Sequence, residues 1–159
     1  MILVIWSFFI VYKKNAMHLP QTAEYALRAM VQMALLPPKR PVRALDLSKK
    51  THVPLHFLSK IMRRLTAKGL LLSQRGCGGG FLLAKPLDQI SFKDILSAAN
   101  YHFQEKRCVF GWRQCHNEKP CPLHHAWSGI KTTFQQWAEE TTLADVKKKR
   151  AITTFSSLK

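Results

Sequence analysis

Acidic residues are scarce in this chain of 159 residues. Nine Asp and Glu stand against 25 Lys and Arg, which gives a formal charge of +16. A chain so poor in carboxylates offers no plausible carboxylate pair for acid–base catalysis, and it contains neither a triad-like arrangement nor an H-E-x-x-H motif. These absences disfavour an enzyme and a small-molecule substrate. The excess of positive charge favours a polyanionic partner, with nucleic acid as the first candidate and a merely soluble basic protein as the alternative.

The chain also lacks an apolar run long enough to cross a membrane. Residues 1–12 are almost wholly apolar, but a membrane-spanning helix needs about 18–20 such residues. A secretory signal would place its positive charge before the apolar stretch, whereas Lys13 and Lys14 follow it here. We therefore predict that residues 1–16 are an upstream extension, that Met17 is the true start, and that the protein is cytoplasmic. A short membrane anchor is the alternative.

Closely spaced cysteine pairs are absent as well. Three of the four cysteines, Cys108, Cys115 and Cys121, fall in one polar window, and Cys77 stands alone. Disulfide proteins usually spread their cysteines, and structural zinc sites pair their ligands at short gaps. The wider gaps fit a loop wrapped around an iron–sulfur cluster, with zinc as the alternative. His124 lies one helical turn beyond Cys121 and is the candidate fourth ligand.

Two helices joined by a tight turn are predicted from residue 44 onward. Ala44–Lys50 has the pattern of a short helix, Thr51–Val53 that of a turn, and Pro54 suits the start of the next helix. That helix, Leu55–Lys68, ends before Gly69, which suits a C-terminal cap. Its apolar stripe comprises Leu55, Leu58, Ile61, Met62 and Leu65. Its polar side comprises His56, Ser59, Lys60, Arg63 and Arg64. This pattern predicts a helix-turn-helix with an exposed basic second helix.

A glycine-rich segment after these helices predicts a β-hairpin. Leu70–Gln74 and Phe81–Ala84 have the pattern of short strands, and the RGCGGG segment at 75–80 supplies the unusual backbone angles of a tip. A phosphate-binding loop would need a helix directly after the glycines, whereas Phe-Leu-Leu favours a strand. A hairpin directly after a recognition helix is a wing. Arg75 at its base is the candidate to enter a minor groove.

Further helices are predicted on both sides of this unit. Thr22–Leu36 is rich in Ala, Leu and Met and is stopped by a Pro-Pro pair. Ser91 is predicted to cap a helix that runs to about Asn100, with Asp94 at the third position of a capping box.

A long helix is predicted from Cys121 onward. One of its faces is strongly apolar and comprises Trp127, Ile130, Phe134 and Trp137, and Lys131 is among the residues assigned to the opposite, polar face. We expect the apolar face to form half of a two-fold interface, with packing on its own domain as the alternative. A short helix, LADVKKKR, follows at 143–150.

Together these patterns predict a mainly α fold with a small β wing. A winged helix-turn-helix DNA-binding domain would span residues 17–100, a cluster-binding loop 101–121, and dimerisation helices 122–150. Residues 151–159 would form a polar tail.

In combination, these segments resemble the IscR/NsrR family of iron–sulfur winged-helix regulators, also called the Rrf-two family. The matching pieces are EYALRAM at 24–30, LHFLSKIMRRLTAKGLL at 55–71, SQRGCGGGFLLAKP at 73–86, ISFKDIL at 90–96 and CPLHHAW at 121–127. The resemblance runs from Met17 to about Lys149. It implies a homodimer in which the two long C-terminal helices cross each other. It also implies that this dimer binds a roughly palindromic DNA operator. It further implies transcriptional control, which we expect to be repression with activation as the alternative, by a cluster that senses iron–sulfur status, redox state or nitric oxide.

The resemblance also implies roles for individual side chains. His56, Ser59 and Lys60 fall where family members contact base edges, and Arg75 falls at the wing arginine that enters the minor groove. Ser59 replaces the glutamate of the cluster-biogenesis regulator, so that regulator's operator cannot be transferred to this chain. Independently of the resemblance, the side chains of Arg63 and Arg64 are expected to contact phosphates because they are positively charged.

The fourth cluster ligand differs between branches of the family. His124 matches the histidine of the 2Fe–2S cluster-biogenesis regulator. Glu24 falls where the nitric-oxide-sensing branch has an acidic residue donated by the other subunit, and that arrangement would go with a 4Fe–4S cluster. We favour His124 and 2Fe–2S. The first cysteine gap is one residue longer than in the best-known members, and a zinc-stabilised or thiol-based winged-helix regulator is the alternative.

Overall fold

A computed structural model of the protein describes residues 19–102 and 118–150. In chain order the elements are α1 (Gln21–Leu35), α2 (Ala44–Thr51), α3 (Leu55–Ala67), β1 (Leu71–Gln74), β2 (Gly80–Leu83), a 3₁₀ turn (Leu87–Gln89), α4 (Phe92–Ala98), α5 (His124–Glu140) and α6 (Leu143–Arg150). This is the predicted, mainly α fold with a small antiparallel sheet. The predicted N-terminal extension, the tail at 151–159, Cys108 and Cys115 lie outside the described residues.

Helix α1 lies at the centre of the core. Its buried side is made of small and flexible residues: Ala23, Ala26, Ala29, Met30, Met33 and Ala34. Small side chains let neighbouring helices approach closely, and α2, α3, α4 and α6 all pack against α1. The core of this domain is therefore built around one central helix.

Helices α2 and α3 form the predicted helix-turn-helix. The turn passes through His52, whose backbone is left-handed (φ 55°), and the Ser48 hydroxyl donates a hydrogen bond to the Val53 carbonyl at 2.6 Å. The α3 residues Leu58, Ile61, Met62 and Leu65 are buried, as their spacing predicts. Leu55 was wrongly assigned to this stripe. It is 40% exposed, because it is the first residue of α3 and lies beyond the edge of the core.

The two strands form the predicted wing. Their register pairs Leu71 with Leu83 and Gln74 with Gly80, and the turn between them is exposed. A third chain segment joins the hairpin, because the backbone amides and carbonyls of Val42 and Phe81 exchange hydrogen bonds at 2.9 and 3.0 Å. A Cβ atom on Gly80 would lie 2.6 Å from the Val42 carbonyl oxygen, so this approach requires glycine.

The start of α4 is fixed by the predicted capping box. The Ser91 side chain accepts from the Asp94 amide, and the Asp94 carboxylate accepts from the Ser91 amide. The helix is shorter than predicted and ends at Ala98, since Asn100 adopts a left-handed backbone (φ 58°). Beyond it, burial raises the pKa of the Tyr101 phenol.

Helix α5 begins at His124, three residues later than predicted, and packs against α4 through its C-terminal half. Its most buried residues are His124, Lys131 and Ala138, which follow one another at steps of seven residues. Lys131 was wrongly assigned to the solvent face, since it is only 8% exposed. A lysine can lie there because its aliphatic stem is apolar.

Candidate nucleic-acid interface and cysteine site

The polar side of α3 faces solvent, opposite the core. His56, Lys60, Arg63 and Arg64 are exposed, and Ser59 is half-buried. The Ser59 hydroxyl donates to the Leu55 carbonyl at 2.8 Å, which leaves its oxygen lone pairs free to accept. The structure thus brings all five predicted α3 residues onto one accessible helix surface. We call this set of five the basic face of α3.

No carboxylate interrupts this region of the sequence. Between Asp46 and Asp88 the chain contains no acidic residue, and α3 has no acidic residue in its first turn. The positive end of the helix dipole is therefore uncompensated by a side chain of α3. Such a helix end attracts phosphate groups.

A groove between α2 and the wing extends the positive surface. Its volume is about 740 Å³, and the glycines of the wing tip form one wall. Four cations line it, Arg40, Arg43, Lys49 and Lys50, together with one carboxylate, that of Asp46. These cations were missed in the sequence analysis. Their signal was a cluster of Lys and Arg at 39–50, but only the folded hairpin places the wing next to them.

The wing presents Arg75 and Cys77 to solvent. Both residues are exposed, and Cys77 lies between Gly76 (φ 93°) and Gly78 (φ 83°), which occupy left-handed backbone conformations. Arg75 is accessible, but it lies in the turn directly after β1 and not at the base of the hairpin as predicted, because the strand pairing runs from Leu71–Leu83 at the base to Gln74–Gly80 next to the turn.

Exposed apolar side chains adjoin the basic face. Phe57 and Leu55 are both about two-fifths exposed, and the Phe57 ring lies 4.3 Å from the His56 ring and 6.1 Å from that of Tyr25, measured between centroids. Apolar side chains can read the methyl group of thymine in the major groove. The sequence analysis missed Phe57, which carries no charge and belongs to neither helical stripe.

The described part of the cysteine site lies at the start of α5. Cys121 is half-buried, His124 is buried, and the His124 amide donates to the Cys121 carbonyl at 2.9 Å. One turn further, the Trp127 indole Nε1 is buried without a hydrogen-bond partner in the described structure. A thiol, an imidazole and an indole N–H thus follow at three-residue steps. Within residues 19–102 and 118–150, no group of three or more metal-ligating side chains is found.

Glu24, the alternative fourth ligand, lies on α1. Its carboxylate accepts from the Arg28 guanidinium one turn further along the helix, and both side chains are about half exposed. Glu24 would have to exchange Arg28 for a metal in order to act as a ligand.

A basic helix face, an adjoining wing and a helix-turn-helix define the class: a winged-helix DNA-binding transcription regulator. The chain belongs to the Rrf2 family, whose model, described as iron-dependent transcriptional regulator, matches residues 19–149. In the described part of the chain, no helix has the length and apolar character needed to cross a membrane.

Individual relatives agree with this class. A putative HTH-type transcriptional regulator of Haemophilus influenzae is 32% identical over 136 residues, which span 86% of this chain and 90% of the relative. The HTH-type transcriptional regulator IscR of Cronobacter sakazakii is 31% identical, over 82% of this chain and 80% of its own. Among solved structures, CymR, the global cysteine regulator of B. subtilis, has a TM-score of 0.71 at 20% identity, covering 84% of this chain and 98% of its own.

Proposed function

We propose that the protein is a cytoplasmic, homodimeric repressor that binds a palindromic operator. Its affinity for the operator would be controlled by an iron–sulfur cluster that is bound by Cys108, Cys115, Cys121 and His124. The observation that carries the proposal is the placement of Cys121 and buried His124 at the start of the helix that packs on the DNA-binding domain. The family description as iron-dependent adds independent support.

DNA recognition is assigned to α3 and the wing. His56, Ser59 and Lys60 would contact base edges, while Arg63 and Arg64 would contact phosphates and Arg75 the minor groove. Support comes from the exposure of the charged members of this set and from the absence of acidic residues between α2 and the 3₁₀ turn. The cations of the α2–wing groove would add further phosphate contacts.

Dimerisation is assigned to α5. Leu123, Ile130 and Trp137 are large apolar residues close to half exposed, and they follow at steps of seven residues in and just before this helix. Half-buried Trp127 and Phe134 fall between them, so that apolar residues follow at alternating steps of four and three, the pattern by which two helices pack along each other. A second copy of α5, related by a two-fold axis, would bury this seam.

The residues at the start of α5 suit a 2Fe–2S cluster. Thiolate and imidazole both bind iron in such centres, and the Trp127 N–H needs an acceptor, which a ligand sulfur can supply. When bound, the cluster would link the loop at 101–121 to α5 and respond to oxidation or to loss of iron. His124 lies three residues beyond Cys121 at the start of α5, whereas Glu24 lies on α1, where its carboxylate accepts from Arg28, and this proximity to Cys121 favours His124.

The test combines spectroscopy with DNA binding under anaerobic conditions. Purified protein should absorb visible light, and Cys121→Ser should abolish the absorption and change operator affinity by about 5–150-fold, the usual range of an allosteric coupling. Cys77→Ser is the matched control, because this thiol lies on the wing, and it should leave both properties intact. If the protein is colourless and iron-free, and if Cys121→Ser has the same operator affinity as the wild type, a cluster does not control DNA binding.

A thiol-based regulator without a cluster is the second candidate. The observation in its favour is Cys77, an exposed free thiol on a wing that is expected to lie near DNA. For this candidate the expected outcome is reversed: Cys77→Ser would remove the response of DNA binding to oxidants, and Cys121→Ser would not. A zinc-stabilised form would be colourless and would contain zinc.

A further inference from the structure

A second cavity lies away from the basic face of α3. It has a volume of about 410 Å³ and opens between the C-terminal end of α1, the base of the wing and α6. Ligand sites for small organic molecules usually measure about 300–1,000 Å³, so the size is sufficient. Three segments that are far apart in the sequence meet at this cavity.

The walls of this cavity are mainly apolar. Met33 and Leu83 belong to the packed core or its border, while Leu72 is 56% exposed although it is a leucine on a strand. An exposed leucine at the rim of an apolar cavity leaves surface that a ligand could cover, and removing this surface from water would favour binding. The cavity can therefore hold the apolar body of a molecule.

The rim of the cavity is cationic. Lys39 and Arg40 come from the loop after α1, Lys85 from the segment after β2, and Lys147 from α6, and no acidic residue is among the lining residues. Within residues 19–102 and 118–150, none of these four side chains forms an ion pair. Four like charges around one apolar opening repel each other, and an anionic group would relieve that repulsion.

We propose that this cavity is an effector site for a small organic anion that has an apolar body and a single carboxylate or sulfonate end. The apolar part would lie against Leu72 and Leu83, with the anionic end between Arg40 and Lys147. Polar ligands without an apolar body, such as inorganic phosphate, would bind only weakly, because they would leave the apolar walls wet.

A ligand bound in this cavity would weaken DNA binding. This extension of the proposal rests on the proposed function. Arg40 lines both this cavity and the α2–wing groove. An anion paired with Arg40 would remove one cation from the groove in each subunit. Ligand and DNA would then compete for the same guanidinium, and each would weaken the binding of the other by an equal factor.

Binding is tested without DNA, by titrating the full chain with the apolar sulfonate 8-anilinonaphthalene-1-sulfonate and following its fluorescence. Leu72→Gln and Lys147→Gln should each weaken binding by about tenfold, as expected when a charged or apolar contact is lost. Leu45→Gln and Lys148→Gln are matched controls: Leu45 is 50% exposed, and neither residue lines the cavity. Decanoate should displace the dye, and 1-decanol should do so less well.

Equal dye affinity in the wild type and all four variants would overturn the site, since the dye would then bind elsewhere on the surface. The regulatory extension has its own readout, the affinity for a DNA duplex with and without decanoate. If decanoate binds and the affinity for DNA does not fall, the extension is wrong. If the protein without ligand fails to bind DNA, the proposed function fails, and the dye titration still decides whether the cavity is a site.

Discussion

Replacing Arg63 by Gln should lower the salt dependence of DNA binding by an amount that can be calculated. Arg63 is exposed on the basic face of α3, on the same side as Lys60 and without an ion pair in the described structure. Glutamine keeps helix propensity and length similar while removing the charge. The fold should therefore be unchanged, and only the phosphate contact should be lost.

The magnitude follows from counterion release. Each phosphate contact contributes about 0.9 to the slope of log affinity against log salt concentration, so a dimer that loses one contact per subunit should show a slope smaller by about 1.8. A fourfold increase in salt would then reduce the affinity of the wild type about twelvefold more than that of the variant. The two proteins should converge as the salt concentration rises.

Fluorescence anisotropy with a labelled duplex, measured across potassium chloride concentrations, gives these slopes. A random-sequence duplex and an operator obtained by in vitro selection should show the same decrease for Arg63→Gln. Ser59→Ala should leave the slope unchanged and alter the ratio of affinities for the two duplexes, while Lys148→Gln on α6 serves as control. An unchanged slope for Arg63→Gln, or identical behaviour of the Arg63 and Ser59 variants, would refute the assignment of roles on α3.

Three further changes test the fold by urea and thermal unfolding. Ser91→Ala removes the side-chain oxygen of the capping box and should cost about 1 kcal/mol of unfolding free energy; an unchanged midpoint would contradict the cap. Gly80→Ala places a Cβ atom 2.6 Å from the Val42 carbonyl oxygen and should cost about 1–3 kcal/mol; unchanged stability would contradict the close approach. Leu143→Ala should cost about 2–5 kcal/mol because Leu143 is fully buried, whereas Leu45→Ala, at an exposed position, should cost less than about 0.5 kcal/mol.

Features encoded by local chemistry could be predicted from the sequence. The buried positions Leu58, Ile61, Met62 and Leu65 follow from helical spacing, since one apolar face must find the core. The α4 cap follows from a serine and an aspartate three residues apart, whose two hydrogen bonds form within the same turn. Neither feature depends on distant parts of the chain.

Features that depend on tertiary packing could not be predicted in the same way. Lys131 was assigned to the polar face by its charge, but it lies on the same side of α5 as His124 and Ala138 and is buried like them. The α2–wing groove and the cavity beside α6 each bring together segments that are far apart in sequence. Their cations are visible in the sequence, but their convergence appears only when the hairpin folds back on Val42.

Under the proposed function, the junction between α4 and α5 would connect the cysteine site with the DNA-binding helices. The Phe92 amide donates to the Thr141 carbonyl at 2.9 Å, and the Leu143 amide donates to that of Ile90 at 3.0 Å, so the C-terminal end of α5 is joined to the start of α4. Ile90 and Leu143 are fully buried.

The cysteine site lies at the opposite end of α5, about 25 Å away for a helix of 17 residues. In the proposed dimer, the apolar residues of α5 would face a second copy, and α5, held at its C-terminal end, would act as a lever. A loop that rearranges around Cys121 would tilt this lever relative to its partner, and the domains that carry α3 would follow because they are fixed to its other end. Such a tilt would change the distance between the two α3 helices and therefore the spacing of the half-sites that they fit. Cluster loss should therefore change the affinity for an operator with two spaced half-sites more strongly than the affinity for a random duplex.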